Sequence, residues 1–345
     1  MSENPLRVGI VGCGFWAGYQ VAGWREIPGV EIVGLYNRTR ARAEALSARC
    51  GGIPVCASVD ELLESGIDVA DIITSVETHH ELTLQVARRG VHVICQKPMA
   101  TTLAHCREMV RVCRECGVRL LIHDNWRWQT PIRRLKEDLE RREIGNPFRA
   151  HVLYANSFPV FAKQPFLAEL EHFILMDIGT HLLDTVRALF GEPVSLWCQT
   201  ARISPEIRGE DVATLLIRMA SGLHCSVAMS YASPVEHDRF PETYIQVEAA
   251  GGSLELAPDY WLRQTRAGRT TACRVPPPVY PWADPAYLLS TTSVVPAQQE
   301  FARCLRRGER SETEGEEYLR TMEMVFAAYE SAAGRGVVSL TGGAR

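Results

Sequence analysis

The ten residues VGIVGCGFWA, numbers 8 to 17, decide the fold class of the first part of this chain. They place Gly12, Gly14 and Ala17 in the spacing GxGxxG/A, directly after a β-rich run and before a helical pattern. Glycines at such a turn let backbone amides approach a pyrophosphate, whose charge the following helix N-terminus favours. Because the spacing alone is a weak signal, a glycine turn that only connects strand to helix is the alternative.

The residues around this turn alternate between short β-rich runs and amphipathic helical stretches. Such alternation is typical of parallel strands joined by right-handed crossovers. Ser58 with Glu61, and Thr78 with Glu81, also predict two helices that begin with a capping box. We therefore predict a Rossmann dinucleotide-binding domain over residues 1–124. Its expected strands are LRVGIVG (6–12), VEIVGLY (30–36), DVADIITS (68–75), VHVICQ (91–96) and VRLLIH (118–123).

Residues 125–345 follow a different pattern and predict a second domain for substrate binding and oligomerisation. Thr130 and Pro131 open a helix, and further helices are expected around 296–307 and 313–333. Between them lie β-rich runs separated by SG and GG turns, which indicate an open, mainly antiparallel sheet. The fold class is thus α/β plus α+β. The clearest of these runs are FRAHVLYA (148–155), VATLLIRMA (212–220), LHCSVAMSYA (223–232) and TYIQVEAA (243–250).

Composition excludes several classes of protein. The net charge of −4 supplies no basic surface for nucleic acid, and no apolar run reaches the roughly 18 to 20 residues of a membrane span. The N-terminus shows no signal-peptide pattern, so we expect a cytoplasmic protein. Eleven cysteines, an odd number at irregular spacing, indicate reduced thiols, and the isolated CxxC from Cys113 to Cys116 does not predict a metal site.

The end of the second expected strand bears on the choice of cofactor. An acidic residue usually binds the adenosine ribose about twenty residues after the glycine turn, but this chain has Asn37 followed by Arg38, Thr39 and Arg40. Arginines at this position suit a 2′-phosphate, and Asn37 donates a hydrogen bond without repelling it. The sequence therefore favours NADP(H) over NAD(H). The alternative is that both arginines are solvated residues at a helix start.

The stretch HVICQKP, residues 92 to 98, places a lysine where a buried strand ends. Ligands of open parallel sheets bind beyond the carboxyl ends of the strands, so we expect Lys97 to point toward the cofactor. An ammonium there stabilises the alkoxide that develops during hydride transfer. A lysine that extends to solvent is the alternative from this segment alone.

The helical stretch FILMDIGTHLLDTVRALFG, residues 173 to 191, is apolar on most sides but carries a polar stripe. Asp177, His181 and Asp184 recur within an arc of about 60° of a regular helix. Burial of ionisable groups without partners is costly, so they either satisfy one another or line a pocket. His181 is the candidate general acid/base, because its ordinary pKa suits proton transfer at neutral pH, and Asp177 orients it or binds substrate.

The three segments VGCGFWA, THHELTLQVARRGVHVICQKP and DIGTHLLD together resemble the Gfo/Idh/MocA oxidoreductases. The resemblance implies a Rossmann domain followed by a domain whose open sheet often forms the oligomer interface, hence a homodimer or homotetramer. It also implies catalytic roles for Lys97, Asp177 and His181. Two departures are visible: Gln96 replaces the glutamate of the family's EKP motif, and LEHFIL (170–175) replaces the glycines that often precede the catalytic helix.

These expectations define two sets of contact residues. The run HDNWRWQ, residues 123 to 129, supplies amide, guanidinium and aromatic groups that suit sugar rings, although its tryptophans have an alternative role in packing between the domains. The expected substrate contacts are Asn125, Trp126, Arg127, Asp177 and His181. The expected cofactor contacts are Gly12, Gly14, Phe15, Trp16, Ala17, Asn37, Arg38, Thr39, Arg40, Ser75, His80, Gln96 and Lys97.

We therefore predict an NAD(P)-dependent dehydrogenase or reductase that acts on a secondary alcohol or ketone of a sugar, polyol or related cyclic compound. No metal is implied, because the neighbouring His79, His80 and Glu81 do not face one ligand on a helix. Two alternatives within the same family are a regulator that binds NAD(P) without catalysis and a glycosidase that uses the cofactor transiently.

Overall fold

The computed structural model describes residues 4–236 and 240–340. The chain divides into two compact units. The first comprises the residues up to Asp124 together with Tyr280–Ala283 and Val294–Met322, and the second comprises Asn125–Val279, Asp284–Ser293 and the residues after Met322.

The first unit contains a parallel sheet with the strand order β2-β1-β3-β4-β5. Each strand lies within one of the predicted β-rich runs, so the predicted Rossmann fold is confirmed. Its strands are β1 (Leu6–Val11), β2 (Val30–Tyr36), β3 (Val69–Ile72), β4 (His92–Gln96) and β5 (Leu120–His123). Its crossover helices are α1 (Ala17–Arg25), α2 (Arg40–Arg49), α3 (Val59–Glu64), α4 (His79–Arg88) and α5 (Leu103–Glu115).

The strand order reverses between β1 and β3. At such a switch point the connections leave on opposite faces of the sheet and open a crevice at the carboxyl ends of the strands. The glycine turn follows β1 here, and Thr74 and Ser75 follow β3.

Residues from late in the chain also belong to the first unit, whereas the prediction placed everything after residue 124 in the second domain. The Gln298 side chain donates to the Gln20 carbonyl at 3.1 Å, and the Thr313 hydroxyl donates to the Ile122 carbonyl at 2.8 Å. These hydrogen bonds join residues that are distant in sequence. Local sequence patterns do not reveal such contacts.

Of the two predicted capping boxes, the first forms in one of its two hydrogen bonds. The Ser58 hydroxyl accepts from the Glu61 amide at 3.0 Å, while the Glu61 carboxylate accepts from the amide of Ala57, one residue before the cap. The second capping box is wrong. The Thr78 hydroxyl instead donates to the Ser75 carbonyl, because a 3₁₀ turn precedes α4 and leaves Thr78 in a helical conformation.

The second unit contains a sheet with the order β13-β12-β11-β10-β6-β9-β8-β7-β14, antiparallel except for the β6–β9 pair. Its strands are β6 (Pro147–Ala155), β7 (Pro193–Ala201), β8 (Val212–Met219), β9 (His224–Ser230), β10 (Tyr244–Ala249), β11 (Gly252–Ala257), β12 (Trp261–Arg266), β13 (Arg269–Arg274) and β14 (Val338–Ser339). The remaining helices are α6 (Thr130–Glu140), α7 (Val160–Lys163), α8 (Thr180–Phe190), α9 (Leu288–Thr292), α10 (Val294–Arg307) and α11 (Gly315–Glu330).

The strands of this sheet alternate in burial, as expected for a sheet covered on one face. Val152, Val227 and Val247 point inward and share a core with Leu182 and Val186 of α8. The opposite face carries exposed side chains. Within the part of the chain that the structure describes, no helix is both long and apolar enough to cross a membrane.

Candidate active site

The glycine turn after β1 has two glycines with different requirements. Gly12 has φ of +103°, and a Cβ there would lie 2.8 Å from the Ile73 carbonyl, so the protein itself requires glycine. A Cβ at Gly14 would meet no described atom within 4 Å. Helix α1 then starts at Ala17, and among the described residues no side chain caps it. Open backbone at an uncapped helix start fits a dinucleotide pyrophosphate.

Asn37 ties the glycine turn to the end of β2. Its Oδ1 accepts from the Cys13 amide at 3.0 Å, and its Nδ2 donates to the Thr39 carbonyl at 2.9 Å. Arg40 pairs with Glu44 at 2.8 Å on the exposed surface of α2. Asn37 and Arg40 thus have partners within the protein, and Arg38 is exposed.

The other predicted cofactor contacts have distinct surroundings. Phe15 and Trp16 are half-buried and pack against Tyr19, Phe15 edge-on and Trp16 at a tilt, with ring centroids 5.4 and 5.6 Å from it. Ser75 is exposed, and its carbonyl accepts from the backbone amide of Thr78 in the 3₁₀ turn before α4. Their contact with cofactor stays a prediction.

Lys97 follows β4 and is half-buried. Its amide donates to Oε1 of Gln96 at 2.8 Å, and Nε2 of Gln96 donates to Oε1 of Gln20 at 3.2 Å. Gln20 in turn lies 3.4 Å from the carboxylate of Asp71, which also accepts from the Trp24 indole at 2.8 Å. This buried chain connects the lysine loop to α1 and β3.

Asp71 is fully buried in the first unit. Burial raises the pKa of its carboxyl to about 7, and the Trp24 hydrogen bond opposes part of that rise. A carboxyl with this pKa changes its charge near neutral pH. Asp71 is linked to the segment that carries Lys97 through the side chains of Gln20 and Gln96.

His79 is a residue whose importance the sequence analysis missed. Its ring lies between two carbonyl oxygens, with Nδ1 3.0 Å from Pro98 and Nε2 3.1 Å from Thr74. Burial lowers the pKa of this imidazole. His79 thus joins the loop after β3 to the loop after Lys97. Its helical spacing from buried Thr83 and Val86 was the available signal.

His80 was predicted to contact the cofactor. In the structure its Nε2 lies 2.9 Å from the Glu108 carboxylate, and its ring stacks on His105 of α5 with centroids 4.1 Å apart. This side chain is therefore engaged with α5, and its proximity to the cofactor stays a prediction.

The catalytic-helix segment of the second unit begins with a π turn, Leu175–Gly179, and continues as α8. The sequence analysis assumed a regular helix, in which Asp177, His181 and Asp184 form one stripe. A π turn has wider spacing and is common at functional sites. The contacts of the three polar side chains differ: Asp177 contacts Tyr231, His181 contacts Trp126, and Asp184 pairs with Arg127.

Asp177 lies in the π turn and is half-buried. The hydroxyl of Tyr231 lies 3.4 Å from its Oδ2. Burial raises the pKa of Tyr231 well above its ordinary value, so this hydroxyl keeps its proton and donates to the carboxylate.

His181 begins the first turn of α8 and is 5% exposed. Its ring stacks face to face on the indole of Trp126, with centroids 4.3 Å apart and an angle of 1° between the planes. Trp126 is itself only 2% exposed and packs against Tyr154. The predicted substrate contact of Trp126 stays untested, but its observed contact is with the imidazole.

Asp184 pairs with Arg127 in a buried, bidentate ion pair with distances of 2.6 and 2.7 Å. The side chains are 7% and 0% exposed, respectively for Arg127 and Asp184. Asn125 is also buried, and its Nδ2 donates to the Ser290 carbonyl and the Ser293 hydroxyl. Asn125 and Arg127, both predicted to bind substrate, thus make buried contacts within the protein. Direct contact with substrate stays a prediction for each.

These groups supply the parts that alcohol oxidation requires. The first unit offers a dinucleotide turn and a lysine at a strand end, and the second carries the Asp177 carboxylate and the His181 imidazole on one helical segment. Within the described ranges no group of three or more His, Cys, Asp or Glu side chains is arranged to hold a metal ion.

Comparisons with known proteins agree with this set of parts. Residues 6–123 match the family described as an oxidoreductase family with an NAD-binding Rossmann fold, and residues 132–255 match the GFO/IDH/MocA C-terminal domain. D-apiose dehydrogenase of Paraburkholderia graminis is 39% identical over 94% of this chain and 86% of its own length. The D-apiose dehydrogenase of Rhizobium rhizogenes is 35% identical over 99% of both chains.

A solved structure shares the whole architecture. An oxidoreductase from Agrobacterium radiobacter, crystallised with NAD⁺, L-tartaric acid and magnesium, superposes with a TM-score of 0.95 at 36% identity and covers 97% of this chain and 98% of its own. The relatives include dehydrogenases of sugars, and a non-catalytic regulator or glycosidase is not favoured. The chain belongs to the Gfo/Idh/MocA oxidoreductase family and is an NAD-binding dehydrogenase that acts on a sugar or related alcohol.

Proposed function

We propose that the chain oxidises D-apiose, or reduces the corresponding oxidised sugar. Likeness over nearly the full length to two proteins of that activity carries the proposal.

In the proposed reaction, His181 takes the proton of the substrate hydroxyl, while the Lys97 ammonium donates a hydrogen bond to the same oxygen. Asp177 binds a neighbouring hydroxyl or orients His181. A dinucleotide held at the glycine turn after β1 would supply the hydride acceptor for the substrate carbon. The Trp126 stack keeps the imidazole plane constant, and Gln96 with His79 holds the backbone on both sides of Lys97.

The test is a substrate panel with absorbance at 340 nm as the readout. We expect kcat/KM for D-apiose to exceed the values for D-xylose and myo-inositol. Higher values for either of those sugars would overturn the assignment of D-apiose. Sugar release without net change of the nicotinamide would instead identify a glycosidase.

Variants test the roles of the residues. K97A and H181A should each lower kcat by at least roughly 100-fold and leave the Kd for cofactor nearly unchanged. K136A on α6 and H224A on β9 are matched controls, because neither residue belongs to the proposed site. Full turnover in a K97A/H181A double variant would refute the mechanism.

For the cofactor, NAD(P) binding follows from the fold, and the preference for NADP(H) is a proposal that rests on Arg38. It is exposed at the end of β2, where the 2′-position of the adenosine ribose binds in this fold. The Agrobacterium radiobacter relative was crystallised with NAD⁺, so the ratio of the two cofactors' kcat/KM is the decisive measurement.

We also propose that the outer face of the second unit's sheet binds a second copy of this chain, giving a homodimer or a homotetramer. Leu216 and Leu153 are 56% and 41% exposed on this face, and Trp261 is 36% exposed. A substitution pair, L153D/L216D, should shift the mass measured by light scattering toward the monomer. The control V279D alters an apolar residue that is 78% exposed outside the sheet.

A cytoplasmic location is likewise our proposal.

A further inference from the structure

We infer that Glu210 is a positioning residue for the helix that carries Asp177 and His181. This inference rests on the proposed roles of those two residues. Glu210 is 9% exposed and lies in the loop before β8, more than thirty residues from Asp177 in sequence. Its positioning role follows from the groups to which it is hydrogen-bonded.

Glu210 binds three consecutive amides at the start of the helix. Its Oε1 accepts from the amides of Phe173 and Leu175 at 3.2 Å each, and its backbone carbonyl accepts from the Ile174 amide at 3.0 Å. The first amides of a helix have no partner within the helix, and the positive end of its dipole favours a carboxylate. One residue therefore determines where this helix begins.

A tyrosine of α11 holds the same oxygen from another side. The Tyr329 hydroxyl donates to Oε1 of Glu210 at 2.8 Å. Burial, followed by the neighbouring Glu210 charge, raises the pKa of Tyr329, so the hydroxyl stays protonated and remains a donor. The carboxylate thus joins α11 to the start of the catalytic-helix segment.

Gly209 and Asp211, the neighbours of Glu210 in sequence, also contact the segments around Asp177. A Cβ at Gly209 would lie 2.7 Å from the Leu170 carbonyl, so the segment before the helix packs directly on that glycine. The Asp211 carbonyl accepts from the Tyr231 amide at 3.0 Å, and the Tyr231 hydroxyl reaches Asp177. Residues 209–211 therefore constrain Asp177 through the helix start and through Tyr231.

The path from Glu210 to the proposed catalytic groups is short. Phe173, whose amide Glu210 binds, accepts from the Asp177 amide at 2.8 Å in the first turn. His181 follows one turn later. Loss of the anchor would let this first turn shift and displace both side chains, and a displacement near 1 Å at a reacting centre is enough to slow a reaction by about 100-fold.

The hydrogen bonds of Glu210 require an oxygen at one position and do not require a negative charge there. A single oxygen, Oε1, accepts all three side-chain bonds of Glu210, so an amide oxygen at the same place makes the same bonds. E210Q should therefore keep kcat within about threefold, whereas E210A should lower kcat by roughly 10-fold to 100-fold per folded molecule. The Kd for cofactor should not change in either variant, because the dinucleotide turn belongs to the first unit.

The experiment measures kcat, KM and cofactor Kd for E210A, E210Q and H181A, with the folded fraction taken from thermal unfolding. A fourth variant, G209A, applies the same test through steric contact with residue 170, and serves if E210A does not fold; it should lower kcat at least fivefold. A lowered kcat in E210A or G209A, together with a kcat near the wild-type value in E210Q, supports the positioning role.

Other outcomes overturn it separately from the proposed function. Wild-type kcat in folded E210A, or in folded G209A where E210A does not fold, refutes the positioning role, as does an E210Q variant as slow as E210A. If H181A has lost turnover in the same series, the proposed function still stands. Wild-type turnover in H181A refutes the proposed function itself, whatever E210A shows.

Discussion

The imidazole of His181 lies parallel to the indole of Trp126, with 4.3 Å between ring centroids and 1° between ring planes. Both rings are almost completely buried. A face-to-face contact of this kind limits rotation of the imidazole about its side-chain bonds, so the direction of its nitrogen atoms is set before substrate arrives.

Replacement of this indole should affect the rate more than the affinity for cofactor. W126F keeps an aromatic face and should retain kcat within about threefold, while W126A should lower kcat by roughly 10-fold to 100-fold because the imidazole can rotate. Steady-state kinetics at saturating cofactor measure this effect. V279A, which alters an exposed apolar residue outside the sheet, is the control, and equal kcat for W126A and V279A would contradict the role given to the stack.

The Arg127–Asp184 pair should be essential for stability. R127A leaves a buried carboxylate without its cation, so we expect it to lower the free energy of unfolding by about 3–5 kcal/mol in urea titrations. The apolar double variant R127M/D184L should recover much of this loss. R40A breaks the exposed pair with Glu44 and should cost less than about 1 kcal/mol. An R127A variant as stable as R40A would show that the buried pair is unimportant.

Asp71 should make stability depend on pH in a defined window. Its pKa is raised from 3.8 to about 7 in the folded state, so the folded protein binds this proton more tightly than the unfolded chain. The contribution therefore favours folding most near pH 4, declines as the pH rises to about 7, and is constant above that.

The variant D71N removes this titration, and the Gln20 amide can rotate to pair with the new side chain. The difference in unfolding free energy between wild type and D71N should favour wild type more at pH 5 than at pH 8. The change should be a few kcal/mol, at most about 4 kcal/mol. A difference that is constant across this range would mean that Asp71 does not titrate there.

The two glycines of the dinucleotide turn should respond oppositely to alanine. G12A introduces a clash with backbone after β3 at a positive φ, so it should lower the melting temperature by several degrees. G14A meets no described atom of the protein and should leave stability nearly unchanged while weakening cofactor binding. Calorimetry and cofactor titration distinguish the two, and a destabilised G14A with normal affinity would reverse this assignment.

Arg38 and Arg40 should differ in their effect on cofactor choice. Removal of a charged hydrogen bond to a 2′-phosphate costs about 1.5–3 kcal/mol, so R38A should lower the ratio of kcat/KM for NADP⁺ to that for NAD⁺ by roughly 10-fold to 100-fold. R40A should change this ratio little, because Glu44 already pairs with Arg40. A wild-type enzyme that prefers NAD⁺ would contradict the predicted specificity.

Local patterns predicted the parts of the site that depend on neighbours in sequence. The glycine turn, the five parallel strands and the lysine after β4 follow from spacing, β-propensity and periodic burial, which act over a few residues. The family resemblance then supplied the roles of Lys97, Asp177 and His181. A regular helix over residues 173–191 was expected from the same kind of pattern, but Leu175–Gly179 forms a π turn.

The sequence by itself determined the Rossmann fold of the first unit, the class of cofactor and the residue types available for proton transfer. Only the tertiary structure decided which groups position them: His79 beside Pro98, Trp126 on His181, Arg127 with Asp184, and Glu210 at the helix start. These partners are between nineteen and fifty-seven residues apart. Their pairing depends on the satisfaction of buried polar groups after the chain has packed, and that condition leaves no periodic trace in the sequence.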